Sequence, residues 1–292
     1  MLRLIRNDHV DILLGPYSSS LTLAAAEIAE WHKKIVWNYG GTSDEIFSRG
    51  WRYMIGIAGP AADYLRTLPH WLAKEYPELD RICLLYSAKG SFGWQVARGV
   101  MELAQETGQS VELVPFDTPL KNADAAPSVL LDVRPEAFVL AGSFQDELGI
   151  MRTRPRWPTT VRAIAAVAAG IAAFAAQLGQ IADGVLGPSQ WELGACFPGI
   201  VGPTSDWFAN SFQSTMPDYI ATGSFAAGLI VTECIRRACS LDSDKLRGTA
   251  SSLDCNTFLW PVSYRCSDRK TNRASDTAHS RAERQENCAA FK

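Results

Sequence analysis

Strand-like and helix-like hydrophobic patterns alternate along most of this chain. Residues 10–15 form a continuous apolar run, which is typical of a parallel strand that is buried on both faces. In the following segment apolar side chains recur at helical spacing behind serines that can cap a helix, so we predict a helix with one buried stripe. That stripe consists of Leu21, Ala24, Ala25, Ile28 and Trp31.

The same alternation continues to about residue 239. Further strands are predicted at residues 35–37, 53–58, 81–86, 111–116, 137–142 and 184–190. Helices are predicted at residues 60–72, 92–107, 145–152 and 218–239. We expect the first of these helices to be kinked or interrupted at Pro69, and the last to be deeply buried because it is apolar on nearly every side. Alternating strands and helices indicate βαβ units, so the predicted fold class is α/β, with two doubly wound parallel-sheet lobes.

Length and composition narrow the classes of protein that fit this pattern. The 292 residues are about twice a typical single domain, which also favours two lobes. A formal net charge of −3 excludes the basic surface that nucleic-acid binding needs. The longest nearly charge-free stretch, residues 163–176, is shorter than the ~20 apolar residues that span a bilayer, so no membrane insertion is expected. Seven cysteines without a CxxC motif, and four histidines with none near a cysteine, predict neither a metal site nor a cofactor.

Both ends of the chain depart from the alternation. Residues 1–6 look like the end of a helix that runs into the first strand, and they lack the apolar core and cleavage site of a secretory signal peptide. We therefore expect that this chain carries no signal peptide and lacks some upstream sequence. Residues 261–292 contain no Leu, Ile or Met but seven Lys or Arg residues, which leaves too little apolar surface to offset the entropy of ordering. For residues 259–292 we predict a disordered tail or a segment foreign to the fold.

The loop after the first predicted strand carries candidate binding residues. In doubly wound sheets, ligands bind beyond the carboxyl ends of strands and beside helix N-termini. Tyr17, Ser18 and Ser19 occupy this place, and serine hydroxyls together with the free N–H groups of a helix N-terminus can hold a carboxylate or a phosphate. The alternative is an ordinary serine cap without a ligand.

The loop after the second predicted strand contains Gly40, Gly41 and Thr42. The two glycines allow the backbone to approach a ligand closely, and the Thr42 hydroxyl can both donate and accept a hydrogen bond. A tight turn followed by a helix cap explains the same residues equally well.

Two later loops form the candidate rim of the second lobe. Gly142, Ser143 and Phe144 follow the strand at residues 137–142, and Phe92 follows the strand at residues 81–86. Either aromatic ring can pack in the core as readily as it can form a ligand wall.

Motifs for catalysis are missing from the sequence. It has no G-x-S-x-G, Walker A or G-x-G-x-x-G pattern. Ser18 has no evident histidine and acid partners, and the adjacent Asp146 and Glu147 diverge on a helix, where they favour its dipole rather than acid/base work. The residues therefore favour a binding protein over an enzyme.

The order and spacing of several segments resemble the type I periplasmic binding proteins of the leucine/isoleucine/valine-binding family, the solute receptors of ABC importers. The matching segments are residues 10–20, 36–45, 47–53 and 82–108, with weaker matches at 137–147, 184–191 and 217–258. From this resemblance we expect lobe one at residues 1–59 plus 192–258 and lobe two at residues 60–191, joined by a hinge. Lobe one is expected to be incomplete, because the first strand and crossover helix of the family are absent.

The resemblance implies roles for the candidate residues of lobe one. Ser18, with Ser19 beside it, would bind the α-carboxylate of the ligand. The Gly40 carbonyl and the hydroxyl and N–H of Thr42 would hold its α-amino and carboxylate groups.

The resemblance also implies how lobe two contributes. Gly142, Ser143 and Phe144 would close over the ligand, and Phe92 stands where many relatives place an aromatic residue. Amino-acid-binding relatives place an acidic residue against the ligand ammonium, yet residues 163–170 contain none. Either a carboxylate at positions 146–147 substitutes, or the ligand lacks an amino group. Relatives also continue with a glycine-rich strand where this chain has its polar tail, which suggests a frameshifted or altered carboxyl end.

We therefore expect the solute-binding component of an ABC importer that captures a small carboxylate-bearing ligand in a cleft between the lobes. The ligand would be an amino acid, with the branched-chain amino acids among the candidates, or an amide-like compound, and the protein partner would be a membrane permease. The full-length protein would be periplasmic. The alternatives are a ligand-sensing domain of a receptor or regulator with the same fold and, less favoured, an enzyme with a flavodoxin-like or Rossmann-like sheet.

Overall fold

The computed structural model describes residues 1–191, 201–212, 217–253 and 257, together with the backbone of residues 265 and 266. The described chain forms two compact units. Unit 1 contains Met1–Gly59 and the described residues from Gln190 onward, and unit 2 contains Pro60–Ser189. The tail predicted at residues 259–292 lies outside the described residues, apart from the backbone of residues 265 and 266.

Helices and strands alternate as far as the strand at Val185–Leu186, and three helices follow among the described residues. The helices are α1 (Leu2–Arg6), α2 (Ser19–Trp31), α3 (Asp44–Ser48), α4 (Leu68–Glu75), α5 (Phe92–Glu106), α6 (Ala125–Val133), α7 (Phe144–Met151), α8 (Ala172–Leu178), α9 (Ser205–Asn210), α10 (Tyr219–Ala238) and α11 (Ser243–Ser251). The strands are β1 (Leu13–Leu14), β2 (Val36–Asn38), β3 (Met54–Gly56), β4 (Arg81–Ser87), β5 (Ser110–Phe116), β6 (Ala137–Ala141), β7 (Ala163–Ala166), β8 (Val185–Leu186) and β9 (Arg265–Cys266). Among the described residues, no helix is both long and apolar enough to cross a membrane.

Unit 1 is built on a four-stranded sheet in the order β1-β2-β3-β9. The first three strands are parallel, and β9 runs antiparallel to β3. Neighbouring residues of β2 belong to different apolar clusters: Val36 packs with Ala26 of α2, and Trp37 packs with Ile230 of α10. This is the alternation expected of a strand that is covered on both faces.

Unit 2 is built on a five-stranded parallel sheet in the order β5-β4-β6-β7-β8. In β4, Ile82 and Leu84 face one apolar cluster, whereas Cys83 and Leu85 face the other. The strand is therefore buried on both faces, as its continuous apolar run predicts. Burial raises the pKa of the Cys83 thiol to about 12, so Cys83 is a small buried apolar residue, as expected.

Two helix predictions need correction. The helix predicted from Pro60 is a 3₁₀ turn at Ala61–Asp63 followed by α4, and Pro69 lies in the first turn of α4, where its missing N–H costs nothing. Helix α10 is not buried on every side: its fully buried residues recur at helical spacing on one face, and Arg236 and Arg237 are exposed.

The predicted buried stripe of α2 is also wrong in part. Leu21 is 58% exposed and Trp31 is 83% exposed, whereas Ala25, Ala26 and Ala29 are buried. Small side chains let this helix lie close to the sheet, and β1 ends the sheet among the described strands. The larger apolar residues therefore fall on the outer side of α2.

Candidate functional site

Two loops of unit 1 run side by side just beyond the carboxyl ends of β1 and β2. Tyr17 and Gly40 form an isolated parallel β-bridge that joins them. A Cβ atom at Gly40 would lie 2.8 Å from the Cα of Tyr17, so only glycine allows this approach. The Tyr17 hydroxyl lies 3.3 Å from that of Tyr219, the buried first residue of α10. The structure thus brings together the two loops that carry the predicted binding residues of lobe one.

Ser18 occupies a strained position at the start of α2. Its φ of 115° and ψ of 146° lie in a region that glycine adopts but other residues rarely do. Its Oγ accepts a hydrogen bond from the Leu21 N–H at 3.4 Å and so caps the helix. Strain of this kind costs about 1–3 kcal/mol and is concentrated at ligand sites.

Ser19 connects the two loops through its hydroxyl. Its Oγ lies 3.2 Å from both the Thr42 nitrogen and the Ser43 nitrogen and accepts from each. The predicted site residues Ser19 and Thr42 are therefore in contact, although 23 positions separate them. The Thr42 N–H, which the resemblance assigns to the ligand, donates to Ser19 here, and Thr42 is only 1% exposed.

The side chain of Asn38 positions the loop that contains Gly40 and Gly41, which we call the glycine loop. This role was not predicted from the sequence. The fully buried Oδ1 of Asn38 accepts from the Gly40 N–H at 3.2 Å and the Gly41 N–H at 2.7 Å, and its Nδ2 donates to the Gly41 carbonyl at 2.6 Å. The Thr22 hydroxyl also donates to Oδ1 at 3.4 Å. The sequence does contain a signal for this role. Asn38 ends a strand two positions before Gly40, and asparagine side chains commonly form hydrogen bonds with the backbone two residues onward.

In unit 2, Ser143 caps α7 and Asp146 ties this cap to a neighbouring segment. The Ser143 Oγ accepts from the Asp146 N–H at 3.3 Å and donates to the Asp146 carboxylate at 2.7 Å. The other Asp146 oxygen accepts from the Leu120 N–H at 2.7 Å. Asp146 is 5% exposed, so both of its carboxylate oxygens are committed within unit 2.

Glu147 is fully buried and joins the loops after β6 and β7. Its two carboxylate oxygens accept from the Gly142 and Ala168 N–H groups, each at 2.7 Å. Burial raises the pKa of Glu147 to about 8, and the charge of Asp146 acts in the same direction, while the N–H donors act against it. Asp146 and Glu147 accept these hydrogen bonds within unit 2, and the expectation that one of them faces a ligand ammonium stays a prediction.

The two predicted aromatic residues of unit 2 lie against different apolar clusters. Phe92 is half-buried on one cluster and meets Tyr64 edge-on, with ring centroids 5.5 Å apart. Phe144 packs on the other cluster. Gly142 lies close to Phe116, whose ring a Cβ atom at position 142 would approach to 2.8 Å. The structure thus places Gly142, Ser143 and Phe144 at the junction between β6 and α7, and Phe92 at the start of α5 after the neighbouring strand β4.

Within the part of the chain that the structure describes, no cluster of His, Cys, Asp and Glu could hold a metal ion. The two loops of unit 1 instead present neutral hydroxyl and N–H groups beside the first turn of α2. Such groups suit an anionic ligand atom.

Comparison with known proteins adds two findings. A family model described as periplasmic binding protein matches residues 1–284. Among solved structures, a leucine binding protein from Thermotoga maritima matches with a TM-score of 0.75 at 19% identity, over 85% of this chain and 70% of that one.

Two further solved structures carry a ligand. A solute-binding protein of an ABC transporter from R. palustris, in complex with benzoate, matches with a TM-score of 0.69 at 15% identity, over 86% of this chain and 68% of that one. An ABC transporter substrate-binding protein from Desulfitobacterium hafniense, in complex with Leu, matches with a TM-score of 0.65 at 14% identity, over 84% and 70%. At these identities the likeness concerns the fold.

Proposed function

This chain belongs to the periplasmic binding protein family, and from that premise we propose that it captures a small carboxylate-bearing solute for the permease of an ABC importer. The family predicted from the sequence and the α/β fold class are both confirmed. The periplasm is the proposed location of this protein. Closure of two lobes over the ligand stays a prediction.

One observation carries the proposal: the contact between the Ser19 hydroxyl and the Thr42 and Ser43 N–H groups, beside the N-terminus of α2. A carboxylate that displaces the Ser19 oxygen would accept from the same N–H groups and from the freed hydroxyl. The partial positive charge of the helix N-terminus favours an anion at this place. No side chain here has to change its protonation state for the ligand to bind.

The ligands of two structural relatives support a carboxylate rather than an ammonium as the shared feature. One relative was solved with benzoate and another with Leu. Both ligands carry a carboxylate, but only Leu carries an ammonium group. We propose the carboxylate as the group that this chain recognises.

Paired ligands test the proposal. We expect L-leucine or benzoate to bind in isothermal calorimetry, whereas L-leucinamide and benzamide, in which a neutral amide replaces the carboxylate, bind at least about 30-fold more weakly, because they lack the negative charge that the N–H groups favour. Ser19→Ala combined with Thr42→Ala should weaken carboxylate binding by a similar factor. An exposed serine outside both loops provides the control, and Ser48→Ala should bind like the wild type. Equal binding of acid and amide, or an unaffected double variant, would contradict the proposed site.

A further inference from the structure

We propose that Asn38 is a positioning residue that also determines specificity: it sets the backbone at Gly40–Thr42 and, being neutral, makes the site accept a carboxylate. This inference rests on the proposed function and adds a residue and a reason for the choice of ligand. Asn38 itself is fully buried, so it acts through the loop above it.

The hydrogen bonds around Asn38 fix the orientation of its amide group. Oδ1 faces the N–H groups of Gly40 and Gly41, and Nδ2 faces the Gly41 carbonyl. If the amide were flipped, Nδ2 would face two N–H donors and Oδ1 would face a carbonyl oxygen, so only one orientation satisfies these groups. A side chain at this position must therefore both accept and donate.

Asn38 and Ser19 together hold four consecutive peptide groups. Asn38 takes the N–H groups of Gly40 and Gly41, and Ser19 takes those of Thr42 and Ser43. Since the two side chains come from β2 and α2, the loop is fixed from two directions. A change at position 38 is thus transmitted to the groups that we assign to the ligand.

Aspartate is the informative replacement because only its ionised form carries a charge, so pH separates the effect of charge from that of side-chain shape. Ionised aspartate keeps the acceptors for Gly40 and Gly41 but loses the donor to the Gly41 carbonyl, and it adds a buried negative charge two peptide groups below the proposed carboxylate. Like charges placed together in a recognition site strongly disfavour binding. Protonated aspartate regains a donor in the form of O–H and carries no charge, and burial favours this form.

The test compares Asn38→Asp, Asn38→Ala and a control, Asn210→Asp, which makes the same change at an exposed position of unit 1. The probes are benzoate with benzamide and L-leucine with L-leucinamide, titrated calorimetrically at about pH 8 and about pH 5. At the higher pH we expect Asn38→Asp to weaken carboxylate binding at least about 30-fold and amide binding much less. At the lower pH its carboxylate affinity should return towards that of the wild type.

The alanine variant separates positioning from charge. Asn38→Ala should weaken acid and amide alike, without recovery at low pH, and it serves in place of Asn38→Asp if that variant does not fold. Wild-type affinity for carboxylates in either Asn38 variant, or an equal loss for acid and amide in Asn38→Asp at both pH values, overturns the inference.

Hydrogen exchange in the absence of ligand distinguishes the failure of this inference from the failure of the proposed function. Asn38→Ala should speed exchange of the Gly40 and Gly41 amides at least about tenfold relative to Asn210→Asp, because both lose their acceptor. Unchanged exchange, together with intact carboxylate binding by the wild type, overturns the role of Asn38 alone. If the wild type binds neither carboxylate, the proposed function fails and the choice of ligand assigned to Asn38 fails with it.

Discussion

The loops beyond the two sheets are held by different chemistry. In unit 1, the neutral side chains of Asn38 and Ser19 accept the backbone N–H groups. In unit 2, two acidic side chains are the acceptors: Asp146 accepts from the Leu120 N–H, and Glu147 accepts from the N–H groups of Gly142 and Ala168. Both arrangements satisfy buried donors, but unit 2 does so with acidic side chains, whereas unit 1 uses only neutral side chains that place no carboxyl group beside an anion. The comparison explains why we place the anion-binding groups in unit 1.

The largest expected effect concerns the pH dependence of stability in unit 2. The folded pKa of Glu147 is raised from 4.5 to about 8, so between these values the folded state keeps a proton that the unfolded state has lost. The contribution of Glu147 to stability should therefore be complete at and below about pH 4.5, and it should fall as the pH rises towards about 8. The fall amounts to several kcal/mol, since each pKa unit corresponds to about 1.4 kcal/mol.

Urea unfolding across this pH range, with Glu147→Gln beside the wild type, checks the expectation. The glutamine cannot ionise, so this part of the pH dependence should disappear in the variant. Matching pH profiles for the two proteins would show that Glu147 does not titrate in this way.

A second effect should appear in unit 1, where the glycine loop packs against α2. A Cβ atom at Gly41 would collide with the Thr22 side chain and lie 2.8 Å from the Cδ1 of Ile46. We expect Gly41→Ala to lower the free energy of unfolding by about 3 kcal/mol, as overpacking does in a close-packed site. Denaturant unfolding measures this change.

The matched control is Gly248→Ala in α11, where a Cβ atom meets nothing within 4 Å. This substitution should leave stability unchanged or raise it by up to about 1 kcal/mol, because alanine favours the helix. A loss at position 248 equal to that at position 41 would mean that the contact with α2 is not responsible.

The smallest effect separates strain from ligand binding at Ser18. Glycine adopts the backbone conformation of this residue without strain, so Ser18→Gly should be more stable than Ser18→Ala by about 1 kcal/mol or more. Both variants lack the hydroxyl and should weaken carboxylate binding equally. Thermal unfolding of the two variants compares their stabilities, and calorimetric titration compares their affinities for a carboxylate. A glycine variant that is less stable than the alanine variant would refute the strained geometry.

Much of the fold could be predicted from the sequence, because continuous apolar runs such as those in β4 and β6 are typical of strands that are buried on both faces. The missed elements lack that signal. Strand β7 is mostly alanine, α6 contains Pro127, and α11 is polar with only Leu246 and Ala250 buried. The exposure of Leu21 and Trp31 depends on which elements neighbour α2, and a pattern along one segment does not contain that information.

The location of the candidate site could be predicted from the sequence, but its hydrogen bonds could not. Loops after parallel strands must lie at one edge of the sheet, so Ser19 and Thr42 were expected near each other. Their direct hydrogen bond is a tertiary contact across 23 residues. The burial of Asp146 and Glu147 was equally invisible in the sequence, because adjacent acidic residues on a helix are usually exposed.

The central claim is that neutral donors of unit 1 bind a carboxylate, and NMR titration of the backbone amides of Thr42 and Ser43 tests it most directly. The account predicts that benzoate or L-leucine shifts both amide resonances in a saturable manner, while benzamide and L-leucinamide leave them in place at the same concentrations. Saturable carboxylate binding that leaves both amides unshifted would contradict the claim.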